Sequence, residues 1–100
     1  MGDLILPYTA DKATHVYHQY VIRTKKRDEL QAHLNSKGVG TLIHYPVPPH
    51  MQQAYASLNI SKGALPISEE ISETILSMPV YPGLTEEQQQ QVADAIKSFY

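Results

Sequence analysis

One hundred residues, 42% hydrophobic and 18% charged, supply one modest core, exclude a second, and argue against disorder. The formal charge of −2 weighs against a polyphosphate-binding surface as the main function. The absence of cysteine excludes a disulfide framework, a thiolate metal site and a cysteine nucleophile.

Residues 1–14 hold Pro7 in a polar mixture without period and read as an extended lead-in. Leu4-Ile5-Leu6 is too short for a signal peptide or a membrane span, so the expectation is a cytoplasmic chain with no membrane partner. From His15 to Arg23, Val16, His18, Tyr20 and Ile22 alternate with Tyr17, Gln19, Val21 and Arg23, which predicts a strand. A helix should follow from about Arg27 to Lys37, with Leu30 and Leu34 one turn apart and acidic residues at its positive end. Alternation over Val39–Tyr45 predicts a second strand, in a strand–helix–strand unit long enough for a parallel crossover.

Pro46, Pro48 and Pro49 stop that strand and stiffen a loop. Met51, Ala54, Tyr55 and Leu58 have the spacing of a short helix. Behind Pro66, a helix with Ile67, Ile71 and Ile75 as its buried stripe is expected, with Glu69, Glu70 and Glu73 mostly facing solvent. The segment from Leu76 to Gly83 can supply only a short edge strand because its prolines lack ladder donors. Thr85 opens the last helix in a capping box with Gln88, and Val92, Ile96 and Phe99 form its stripe. The expected class is α/β, an α+β two-layer arrangement with a small sheet of about three strands and helices packed on it.

Spacing yields no self-sufficient catalytic constellation. His15 and His18 point to opposite faces of their strand, and no carboxylate lies in the loop between His44 and His50 to complete a metal site. His33 reads as an exposed helix residue. Arg23, Lys25, Lys26 and Arg27 form a cationic turn, but the rest of the chain is acidic and a nucleic-acid partner is not expected. The segment from His44 to His50 places two imidazoles and a phenol on a proline-stiffened loop. Such a loop loses little entropy on binding, and its donors suit phosphate or sugar oxygens; the other reading is a rigid connector with Tyr45 packed in the core.

His44-Tyr45-Pro46, then Pro48, His50 and Tyr55, resembles the C-terminal part of the DegT/DnrJ/EryC1/StrS sugar aminotransferases, which depend on pyridoxal phosphate (PLP). Tyr17 to Arg23, Arg27 to Leu30, Gly38-Val39, Pro66 to Glu69, Leu76 to Pro79 and Tyr81 to Thr85 continue the likeness in family order. The resemblance implies that residues 15–100 are the small C-terminal domain of a fold type I aminotransferase, as an excised domain or a truncated product. The full enzyme would transfer an amino group, usually from glutamate, to a keto sugar on a nucleotide, with PLP as electron sink.

None of the six lysines sits in a segment resembling the family's PLP-lysine motif, so no cofactor and no catalytic residue are assigned to this chain, and it is expected to be inactive alone. His44, Tyr45 and His50 are the implied substrate-binding residues, facing the diphosphate or sugar hydroxyls. The partners implied are the large PLP domain and the nucleotide sugar. The surface left bare without that domain should be apolar and tyrosine-bearing, which favours a homodimer. A stand-alone ligand-binding or oligomerisation module is the alternative from a different class.

Overall fold

The computed structural model describes residues 2–100. In chain order these form β1 (Tyr20–Arg23), α1 (Arg27–Ser36), short 3-10 turns at Pro49–Met51 and Gln53–Leu58, α2 (Pro66–Thr74), β2 (Ile75–Met78) and α3 (Glu86–Phe99). The class is mixed α/β, as expected, but the regular sheet has two strands and they run antiparallel. Tyr20 lies opposite Met78 and Arg23 opposite Ile75, so no parallel crossover is built.

The length of β2 sets that of β1. α2 runs up to Thr74, directly before β2, and Pro79, directly after it, has no N–H to donate. Residues 15–19 therefore lack a partner strand among the described residues, and the predicted strand shrinks to its last four positions. Tyr17 turns away from extended backbone with φ of 50°, its N–H donating to His15 Nδ1 at 2.8 Å. The strand expected over 39–45 is reduced to one bridge, Leu42 with Ser77. Val39 is already held by the end of α1, where its N–H donates to the Leu34 carbonyl at 2.9 Å, and its side chain enters the core. Ser77 thus has neighbours on both sides, and β2 is an interior, wholly buried strand rather than an edge. A second bridge, Ile5 with Arg23, lays part of the lead-in along β1.

Leu30 and Leu34 of α1 pack with Ile22, Leu76, Met78, Ala95 and Ile96 in one core. The Arg27 guanidinium donates to the carbonyls of Ser72 and Ile75 at 2.9 and 3.1 Å, which ties α1 to the α2–β2 junction. Arg23 lies 3.9 Å from Glu70, so two of the four cations of the expected solvated turn are engaged internally. His33 also departs from expectation: its Nε2 lies 3.0 Å from the Ala95 carbonyl and 2.8 Å from Ser98 Oγ. A carbonyl only accepts, so this nitrogen donates, and it joins α1 to α3.

α3 begins with the predicted capping box: Gln88 N–H donates to Thr85 Oγ1 at 3.2 Å, and Thr85 N–H to Gln88 Oε1 at 3.0 Å. The predicted isoleucine stripe is not the buried face of α2: of its three members Ile75 is buried, but as the first residue of β2. Ile67 is 72% exposed, Ile71 is half-buried, and the helix buries Glu69 and Ser72. Among the described residues no helix is long and apolar enough to cross a membrane.

The surface is large for the mass. The accessible area is 7298 Å², against about 5,700 Å² for a folded monomer of this size. The radius of gyration is 15.5 Å, against about 13 Å for a compact domain of this length. Tyr8, Val16, Leu42, Tyr45, Tyr55, Leu58 and Tyr81 are exposed, so the bare apolar and tyrosine-bearing side chains expected from the resemblance are there.

Candidate functional site

The loop after the Leu42 bridge owes its form to its prolines. Pro46 bars a continuing ladder, Pro48 is buried, and Pro49 opens the 3-10 turn that carries His50. Met51 N–H donates to the Pro48 carbonyl at 2.9 Å, and the Gln52 side-chain amide to the Val47 carbonyl at 3.1 Å. The segment is fixed by its own short-range bonds, with little left for a ligand to order.

The three predicted site residues have different surroundings. Tyr45 is 68% exposed, which overturns the reading that packs it in the core. His44 is half-buried, with Nδ1 2.8 Å from Ser77 Oγ and its ring edge-on to that of Tyr45, the centroids 5.5 Å apart. His44 and Ser77 line one groove of about 580 Å³ together with His18, Leu42, Val80 and Tyr81. His50 is directed elsewhere: its side chain is 3% exposed, and Nε2 lies 3.3 Å from Glu69 Oε2. That is ion-pair distance, but the nitrogen makes no aligned hydrogen bond among the described residues.

Glu69 and Ser77 are the members of this neighbourhood that periodicity misses. The Glu69 carboxylate accepts from Gly63 N–H at 2.7 and 3.0 Å and from Leu65 N–H at 3.2 Å. The Gly63 N–H is the strongest influence holding this carboxyl below its ordinary value of 4.5; burial opposes it, and Leu65 N–H and His50 add to it. A carboxylate in the first turn of a helix is the signal that could have marked Glu69.

The chain's own residues do not fit PLP. The coenzyme needs a sheltered lysine, yet all six lysines are exposed, and none lines the groove beside His44. Among the described residues no three histidines or carboxylates converge as metal ligands. The geometry offers a wall instead: an exposed phenol and an oriented imidazole on a stiff loop beside a groove.

The model of the DegT/DnrJ/EryC1/StrS aminotransferase family matches residues 2–97. The chain is 48% identical to a pleiotropic regulatory protein of Geobacillus stearothermophilus, covering 100% of this chain and 27% of that protein. It is 42% identical to a dTDP-3-amino-3,4,6-trideoxy-alpha-D-glucose transaminase of Streptomyces venezuelae, over 94% of this chain and 25% of that one. The crystal structure of S. venezuelae DesV in complex with a ketimine intermediate superposes with a TM-score of 0.94 at 40% identity, over 97% of this chain and 26% of that one. The chain thus spans about a quarter of the length of the relatives it matches. With a family match over nearly its whole length, relatives above 40% identity and the same fold, this chain belongs to the DegT/DnrJ/EryC1/StrS aminotransferase family, whose full-length enzymes depend on PLP.

Proposed function

We propose that this chain is the small C-terminal domain of a nucleotide-sugar aminotransferase and that it forms one wall of the substrate cleft. In the full enzyme the amino group would pass from glutamate to a keto sugar carried on a nucleotide. PLP, held by a lysine of the cofactor-binding domain, supplies the electron sink. The hundred residues alone carry no such lysine environment and are inactive.

The observation that carries this reading is the loop. Tyr45 is exposed, and His44, held by Ser77, lines the adjoining groove. A phenol and an imidazole donor suit the diphosphate or the sugar hydroxyls. His50, buried against Glu69, serves the same contact by holding the loop. The excess surface, roughly 1,600 Å² above that of a compact monomer, suits a domain that packs on a larger one or on a second copy in a homodimer.

The test is Tyr45→Phe in the enzyme that joins this domain to its cofactor-binding part. Loss of one substrate hydrogen bond should raise KM about fivefold and leave kcat nearly unchanged. Unchanged KM would overturn the assignment, and an equal loss in kcat and kcat/KM would place Tyr45 in the transition state instead.

A further inference from the structure

We propose that Glu69 is a positioning residue for the loop from His44 to His50, its carboxylate latching that loop, through His50, to the start of α2 and to the 59–65 connector. That the loop so held touches substrate rests on the reading above; the latch itself stands on the geometry of this chain.

Glu69 is 8% exposed, and a carboxylate is almost never so covered unless it is paired. Its partners come from separate stretches of chain. Gly63 and Leu65 donate backbone N–H groups from the connector and the residue before α2, while His50 approaches from the proline loop. Gly63 has φ of 94°, where a side chain is strained, and the turn there brings the connector back onto the carboxylate.

From the loop's side the dependence is sharper. Among the described residues, the hydrogen bonds of residues 45–52 run among themselves or to Tyr55. Their one polar tie to a more distant residue of the described chain is His50 to Glu69. Among the described residues the buried His50 Nε2 makes no aligned hydrogen bond, and its 3.3 Å approach to the Glu69 carboxylate is the polar contact that compensates its burial. Tyr45 and His44 stand on the same short loop, and His44 has its own tether at Ser77. The loop is thus pinned at both ends, by Ser77 at one and by Glu69 at the other.

Amide hydrogen exchange and two-dimensional NMR of the hundred-residue chain test the latch. Glu69→Gln should speed exchange at Met51 and Gly63 about tenfold and shift the Tyr45 and Val47 signals. The Ile22–Leu76 pair of the β1–β2 ladder should keep its wild-type exchange. His50→Leu should reproduce the loop changes and spare Gly63, whereas His50→Gln, whose amide keeps a polar donor facing the Glu69 carboxylate, should restore the loop. Changes confined to Gly63 and Leu65 would reduce Glu69 to a cap of the connector and overturn the proposal. Equal acceleration of every amide, ladder included, would also overturn it, by showing a role in global stability alone. No substrate enters these measurements, so their failure is separable from that of the Tyr45→Phe kinetics.

Discussion

Ser77 Oγ and His44 Nδ1 are hydrogen-bonded at 2.8 Å, which couples the most enclosed strand of the fold to the loop that faces the groove. Ser77 is itself immobilised, since its backbone N–H and carbonyl both bond Leu42, at 2.7 and 3.2 Å. The imidazole is therefore aimed by a residue that cannot follow it. In Ser77→Ala the bridge to Leu42 remains and His44 loses its partner. Stability in urea should fall by about 1 kcal/mol, and the ring-nitrogen NMR signals of His44 should change. An unaltered His44 spectrum would show that Ser77 does not orient the ring.

The position of the core predicts an unequal pair of truncations. Leu76 is 0% exposed between β1 and the helices, so Leu76→Ala should destabilise by about 2–5 kcal/mol. Ile67, at 72% exposed on α2, should tolerate alanine within about 0.5 kcal/mol. Equilibrium unfolding of both variants decides between the observed inward face of α2 and the isoleucine stripe.

Acid should loosen the fold through two carboxylates. Asp3 is held below its ordinary value of 3.8 chiefly by the Thr24 hydroxyl, with help from Lys25 N–H and the Tyr100 hydroxyl and against burial. Glu69 is held below 4.5 chiefly by Gly63 N–H. Both titrate lower folded than unfolded, so the unfolded chain binds more protons in that range and stability rises with pH there. The contribution is complete above those ordinary values and disappears as the pH falls through the lower folded ones. Unfolding midpoints measured between pH 6 and roughly pH 2 should fall along this course, and Asp3→Asn with Glu69→Gln should flatten it.

The parts legible in the sequence are those whose causes are local. The bounds of α1 and the capping box of α3 follow from neighbours within a turn, and both are found as read. The strands are shorter than their alternation predicts because a strand needs a partner. Residues 15–19 and 39–45 alternate well, but four-residue β2, closed off by α2 and Pro79, offers them nothing further to pair with. Isoleucine spacing turns Glu69, Glu70 and Glu73 mostly to solvent and only the family pattern gives Glu69 a structural role, because its donors at Gly63 and Leu65 leave no periodic trace. Nothing near His33 in sequence marks its role, because its partners Ala95 and Ser98 lie on another helix. The motif around His44, Tyr45 and His50 is legible by resemblance, while periodicity alone leaves its use open.

The proposed function requires the loop of His44 and Tyr45 to be one face of a pocket whose coenzyme is held elsewhere. The most direct measurement is an amino-transfer assay of the purified hundred-residue chain with glutamate, a nucleotide-linked keto sugar and added PLP. The predicted result is no turnover and no absorbance change from coenzyme bound to a lysine of this chain. Formation of an amino sugar by the chain alone would contradict it.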